Sequence, residues 1–335
     1  MKRVANLMPR ILALENLLAA YYDARRGKQH KEPVIQFTKN LYNNILELRD
    51  GVLNGTFKIG RYHYFNIYDP KQRVICAASF EERVLHHAII NVCKSRFEQH
   101  FISDTYASRE GKGVYAAIDR ARQGMSQCRY VAKLDVRKYF DSVSHVVLKQ
   151  QLRRVFKDCQ LLNLFDKIID SYAVTPQRGI PIGNLTSQYF ANFYLSFLDH
   201  YIKEALRVPV YVRYMDDMLL FGHSKEDLKE YVNRVSDFVS KQLSLTLKCP
   251  QLETATRGVA FLGYRISCDK IVLNRRSKIR FKRKIYKYTH LLANGVWDDE
   301  QYVEHIIPLL AFVRRAYTKC LRRSVCEKLQ LMVIR

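Results

Sequence analysis

Val210-Tyr-Val-Arg-Tyr-Met-Asp216-Asp217-Met-Leu-Leu-Phe-Gly222 decides how this chain is read. Two apolar, β-rich runs flank adjacent carboxylates, a pattern that predicts strand, tight turn, strand. Carboxylates at a hairpin tip repel each other and add nothing to a core. They make sense around a divalent cation, since Mg²⁺ prefers one or two carboxylates completed by waters and substrate phosphates. Two such ions can clamp the attacking and leaving oxygens of a phosphoryl transfer. The bland alternative is a solvated turn with incidental acids, and the tetrapeptide alone does not separate the two.

A third carboxylate comes from Tyr130-Val-Ala-Lys-Leu-Asp135-Val-Arg-Lys-Tyr-Phe-Asp141-Ser142. Val131 to Leu134 predict a short buried strand that Asp135 ends. A helix is expected from Ser144, an N-cap residue type. Asp141 is the rival acid, with a loop or cap role as its bland reading; Asp135 is preferred because it directly ends the apolar run. Between the acidic elements lies Arg178-Gly-Ile-Pro-Ile-Gly183-Asn-Leu-Thr-Ser187-Gln188, a Gly/Pro-rich loop that turns helical at about Thr186. Gly183, with no side chain, would let the backbone approach a nucleotide or template base closely.

Taken in order, Leu-Asp-Val-Arg-Lys-Tyr-Phe-Asp, Ile-Pro-Ile-Gly-Asn-Leu-Thr-Ser-Gln, Tyr-Met-Asp-Asp and Phe261-Leu-Gly-Tyr-Arg265 resemble motifs A, B, C and E of reverse transcriptases. The resemblance spans roughly residues 61 to 290. Most reverse transcriptases carry Gln-Gly in motif B and end it Ser-Pro. This chain has Ile182-Gly183 and Ser187-Gln188 instead, which resembles the reverse transcriptases of diversity-generating retroelements. The stretches Ala13-Leu-Glu-Asn-Leu-Leu, Arg73-Val-Ile and Glu82-Arg83-Val-Leu-His-His-Ala resemble that group too.

The resemblance implies an α+β, right-hand polymerase fold with an antiparallel palm sheet. It divides the chain into a helical N-terminal extension (1–60), fingers (61–130), palm (131–266, with finger or palm helices at 146–179) and a basic helical thumb (267–335). Asp135, Asp216 and Asp217 would hold two Mg²⁺ ions, with Mn²⁺ as a substitute, and the Val136 carbonyl would add a ligand. Arg73, and with less support Lys71, would reach the triphosphate; guanidinium forks onto phosphate oxygens. Phe140 would lie beneath the sugar and clash with a 2′-hydroxyl, or else be a core aromatic. Ile182, Gly183 and Gln188 would face the nascent pair, and Tyr214 and Met215 the nucleic acid. Gly263 and Tyr264 would belong to the primer grip. Lys248 is a loose match to the motif D lysine that protonates pyrophosphate, with a surface lysine as the equal alternative. The implied partners are a dedicated template RNA, the RNA/cDNA duplex, dNTPs and an accessory oligomeric basic protein.

Composition agrees with a polyanion partner. The formal net charge is +24, from 56 basic and 32 acidic residues. Such an excess points to nucleic acid, with an anionic membrane surface as runner-up. At 335 residues and 48% apolar, the chain can bury a sizeable core. No apolar run of spanning length occurs, and the basic N-terminus lacks the apolar core of a signal peptide. Eight scattered cysteines without a CxxC pair predict free thiols in a reducing cytoplasm; the family resemblance implies a bacterial, archaeal or phage-encoded protein.

Further expectations follow along the chain. Residues 1 to about 57 predict two helices joined by the basic loop Arg25–Lys31. Residues 61–78 alternate as a hairpin that turns at Asp69-Pro70-Lys71. The loop Tyr106-Ala-Ser-Arg109-Glu-Gly-Lys-Gly113 precedes a helix, and its basic flank suits phosphate. Leu243–Leu247 alternate as a strand. Arg275–Lys287 is an almost single-signed basic helix in which Arg280, Arg283 and Lys287 would grip a duplex backbone. Alternatives to the retroelement reading are a retron or group II intron enzyme, a template-independent abortive-infection polymerase, and an inactive RNA-binding protein with a polymerase fold.

Overall fold

The protein is seen here as a computed structural model that describes residues 3–68 and 72–329. Four helices open the chain where two were expected: α1 (Met8–Ile11), α2 (Leu14–Arg25), α3 (Glu32–Lys39) and α4 (Leu41–Leu53). Pro33 sits in the first turn of α3, where its missing N–H costs nothing, so a separate short helix follows the basic loop Arg25–Lys31. Strands β1 (Tyr62–Ile67) and β2 (Arg73–Ala78) form the expected antiparallel hairpin, Tyr64 opposite Cys76. Its turn at Asp69–Lys71 lies outside the described residues.

Helix α5 (Phe80–His100) starts on Ser79, whose hydroxyl accepts from the Glu82 N–H at 3.3 Å. Its Val84, Leu85, Ala88, Ile89, Cys93 and Phe97 are fully buried. Next come α6 (Val114–Gln127), β3 (Tyr130–Asp135), a short α7 (Tyr139–Ser142), α8 (His145–Val155) and α9 (Cys159–Asp170). Ser144 caps α8 as its residue type predicts. Asp158 caps α9 and also accepts from the backbone of Leu7 and Met8, at 2.6 and 3.2 Å, which ties the N-terminus down.

Helices α10 (Leu185–Tyr194) and α11 (Ser196–His200) run into a π-helical turn at Tyr201–Ala205. Strands β4 (Val210–Tyr214) and β5 (Asp217–Gly222) follow, then α12 (Lys225–Leu243) and β6 (Gln251–Thr254). The chain closes with β7 (Val259–Phe261), β8 (Tyr264–Ile266), β9 (Ile271–Leu273), α13 (Arg275–Ala293), α14 (Asp299–Arg314) and α15 (Lys319–Lys328).

The expected strand at Leu243–Leu247 is not formed. α12 runs through Leu243, and Ser244, at φ +50°, turns the chain. Only Leu247 bridges, antiparallel to Val136, while the Arg137 N–H donates to Thr246 O at 2.8 Å.

Two compact units interleave along the chain. One holds Met1–Gly111, Asp135–Arg207 and Asn233–Lys248, with α5 as its central pillar packed on α2 and α10. The other holds Lys112–Leu134, Val208–Val232 and Cys249–Arg335. In the second unit α6 lies on the sheet so closely that a Cβ at Gly124 would stand 2.8 Å from the Phe221 ring. Antiparallel β7-β8-β9 carries the helical pair α13 and α14: the Tyr264 hydroxyl donates to Phe312 O at 2.7 Å, and the Tyr317 N–H to Ile271 O at 2.8 Å. Antiparallel strand pairs with separate helices make the fold α+β, as expected. Among the described residues no helix is long and apolar enough to cross a membrane.

Candidate active site

Strands β4 and β5 pair from Val210–Phe221 to Tyr214–Asp217, which leaves Met215 and Asp216 as a two-residue turn. Such turns need positive φ in the first half, which Gly or Asn usually supplies. Here Met215 takes φ +53°. The turn is held from beneath by Arg213, wholly buried, whose Nη1 donates to Met215 O at 3.1 Å. A strained, braced residue that presents two acids is the pattern of a site rather than of a solvated turn.

β5, which Asp217 opens, and β3, which Asp135 closes, belong to one sheet of strand order β4-β5-β3-β6. Within the second unit, Lys133 on β3 places Nζ 3.1 Å from Asp217 Oδ1 and donates to Ala260 O at 3.0 Å. Asp217 Oδ1 is buried and has no aligned hydrogen bond. Within the first unit, Lys248 grips Asp135 twice: Nζ to Oδ1 at 2.6 Å and backbone N–H to Asp135 O at 2.8 Å. Asp217 and Asp135 therefore each face an ammonium ion.

The oxygen set suits a hard dication, and Asp217 Oδ1, ion-paired with Lys133 but without an aligned hydrogen bond, is a ligand atom that a dication could take. Among the described residues no three His, Cys, Asp or Glu side chains close on a single metal position. Mg²⁺ does not require that number, because substrate phosphates complete its shell. All eight cysteines are free.

The structure distributes the remaining expected residues unevenly. Arg73 is exposed at the outer start of β2, and Lys71 lies outside the described residues. Phe140 is half-buried, edge-on to Tyr139 at 5.8 Å, with its carbonyl accepting from the Ile180 N–H. Val136 is fully buried. Gly183 takes φ +132° against β2, where a Cβ would stand 2.8 Å from Ile75 Cγ2; Ile182 beside it is half-buried. Gln188 is exposed, within 3.5 Å of the Ser108 hydroxyl. Tyr214 is half-buried. Arg283 and Lys287 are exposed on α13, while Arg280 is half-covered and stacks over Phe312 at 5.6 Å.

Two placements correct the sequence reading. Arg109 is spent internally: it pairs with Glu98 at 2.8 Å and donates to the carbonyls of Ile102 and Thr105 at 2.5 and 3.0 Å. Its guanidinium, largely buried and bonded through Nε and Nη1, braces the loop. Tyr264 is fully buried and bonded to Phe312 O, so it anchors α14 instead of touching a primer. Gly263 packs the same way; a Cβ there would stand 2.9 Å from the Phe312 ring.

Sequence reasoning passed over Lys133 and Arg213. A cation inside each β-rich run was the available signal, since a buried charge needs a partner.

Residues 68–266 match the family described as reverse transcriptase (RNA-dependent DNA polymerase). This chain belongs to that family. The reverse transcriptase is 23% identical over 266 residues to Protein YkfC of Escherichia coli K12, covering 65% of this chain and 70% of that one. It is 20% identical over 256 residues to the putative COX1/OXI3 intron 2 protein of Saccharomyces cerevisiae, of which it spans 30%. Telomerase from Candida albicans, solved with a TWJ fragment of telomeric RNA, aligns at a TM-score of 0.49 and 14% identity, over 81% of this chain and 57% of that chain.

Proposed function

We propose that this reverse transcriptase copies a dedicated template RNA into adenine-mutagenised cDNA for a diversity-generating retroelement. The observation that carries the polymerase reading is the braced Met215–Asp216 turn, which presents Asp216 and Asp217 at the tip of the β4–β5 hairpin. Asp135, Asp216 and Asp217, with the Val136 carbonyl, would hold Mg²⁺. The ions, when bound, supply charge stabilisation for the attacking 3′-hydroxyl and the departing pyrophosphate. The protein's own residues position and exclude. Arg73 receives triphosphate oxygens, Phe140 blocks a ribose 2′-hydroxyl, and Arg283 and Lys287 hold the duplex backbone. The interleaved chain would serve as N-terminal extension (1–60), fingers (61–130), palm (131–266) and thumb (267–335).

The subclass rests on motif B. Ile182 replaces the usual glutamine with a side chain that cannot hydrogen-bond. Discrimination would then depend more on base pairing and less on enzyme contacts. An accessory basic protein and the protein's own RNA would complete the assembly. The second reading is an intron-type reverse transcriptase, favoured by relatives named as intron proteins in Saccharomyces cerevisiae and as nuclear intron maturase 1 in Arabidopsis thaliana. Sequencing cDNA made from the co-purifying RNA separates the two. The retroelement reading expects substitutions concentrated opposite template adenines and reduced by Ile182→Gln. An even, low error spectrum on an intron RNA would favour the second reading.

A further inference from the structure

Asn184 stands at the N-cap of α10, yet its side chain makes no capping bond to that helix. Asparagine at this position normally accepts from the second or third helical N–H. Here the carboxamide is 2% exposed, and its Oδ1 accepts from the Ala78 N–H of β2 at 3.0 Å. Two residues earlier along β2, the Cys76 N–H donates to Ile182 O at 2.7 Å. Gly183, between them, leaves no room for a side chain: a Cβ would stand 2.8 Å from Ile75 Cγ2 and 3.1 Å from Cys76 O. The loop Ile182–Asn184 thus takes the free edge of β2, opposite the edge paired to β1.

The base of the hairpin is pinned separately. Gly60 N–H donates to the buried Glu82 carboxylate at 2.9 Å, Ser79 N–H to Arg61 O at 3.0 Å, and the Tyr62 and Ser171 hydroxyls meet at 2.6 Å. Among the described residues beyond Cys76, Phe65, Tyr68 and Val74 are exposed, as is Tyr64 opposite Cys76. Arg73 lies on this exposed half, about 10 Å along the strand from Cys76. Among the described residues, the loop is therefore the last fixed point before Arg73.

We propose that Asn184 is a positioning residue that locks β2 to the Ile182–Gly183 loop, so that Arg73 and the face meeting the nascent base pair move as one body. This rests on the polymerase reading, with Arg73 on the triphosphate and Ile182 at the base pair. A helix cap has been given up for a strand contact, and the residue's second amide atom, Nδ2, is buried without a hydrogen-bond partner. Helix stability does not account for that arrangement; fixing the hairpin's direction does.

The test uses the full chain with Asn184→Leu, which keeps the branching of the side chain and loses the acceptor, and Asn184→Asp, which keeps the acceptor. Backbone hydrogen exchange at Cys76 and Ala78 and single-nucleotide incorporation are measured on the same preparations. Asn184→Leu is expected to speed exchange at both amides about tenfold, the consequence of losing one buried hydrogen bond. It should raise the nucleotide KM about five- to tenfold with kcat within about twofold, the pattern of weakened uniform binding. Asn184→Asp is expected to restore both. Unchanged exchange, unchanged KM, or a fall in kcat alone would overturn the proposal. If Asn184→Leu fails to fold, Asn184→Ala, which also lacks the acceptor, takes its place with the same criteria. A wild-type protein that does not extend a primer would fault the polymerase reading, and the exchange data would still decide whether the lock exists.

Discussion

Replacing Lys133 with methionine removes a charge while keeping most of the chain that packs beneath it. Lys133 Nζ stands 3.1 Å from Asp217 Oδ1, a buried oxygen with no aligned hydrogen bond. At that separation the Coulomb attraction is about 5 kcal/mol with an effective dielectric near 20. Desolvation and partial exposure, 19% for Lys133 and 30% for Asp217, cut the net well below that. We expect Lys133→Met to cost the metal-free protein about 1–3 kcal/mol, the range for removing one partner of a half-buried polar pair. The midpoint of thermal unfolding should fall by roughly 2–4 °C for each kcal/mol, or somewhat less in a chain of this length. Saturating Mg²⁺ should shrink the gap, because a dication on Asp217 replaces the missing counter-charge and stabilises only the folded state. The assay is a pair of melting curves, in chelator and in Mg²⁺, for both proteins. An equal drop with and without Mg²⁺ would refute the reasoning and leave Lys133 as a packing residue bonded only to Ala260.

Two further outcomes are expected. Phe140→Ala should relax the exclusion of ribonucleotides, read as the ratio of rNTP to dNTP incorporation efficiency; an unchanged ratio in an active variant would return Phe140 to the core. Neutralising Arg283 and Lys287 together should weaken template–primer binding and lower the log–log salt slope by up to about 0.9 for each phosphate that is no longer neutralised, whereas an unaltered slope would make this α13 face merely solvated.

The two acidic hairpin positions and the strand before Asp135 were legible because short, nearly continuous apolar runs and a forced turn mark them in one dimension. The α+β class and the cap at Ser144 were legible for the same local reason. Arg109 and Tyr264 were misread because their partners, Glu98 and Phe312, come from other elements and carry no signal in the local pattern. Asn184 shows the limit from the other side. Its residue type marks a helix start, and the helix does start there, but only the fold shows the side chain turned away to β2. Leu243–Leu247 alternates like a strand, yet the α12 helix takes its first residue and a turn at Ser244 takes the next.

Extension of a DNA primer on an RNA template, by the wild-type protein and by Asp217→Asn, tests the central claim most directly. The wild type should incorporate dNTPs in Mg²⁺ and stop in chelator. Asp217→Asn should lose at least about a hundredfold in incorporation, the scale of removing one group that stabilises transition-state charge. Its affinity for the template–primer should stay within a few-fold, because phosphate contacts come from elsewhere. Near-normal extension by Asp217→Asn, or no extension by a folded wild type that binds the duplex, would contradict the account.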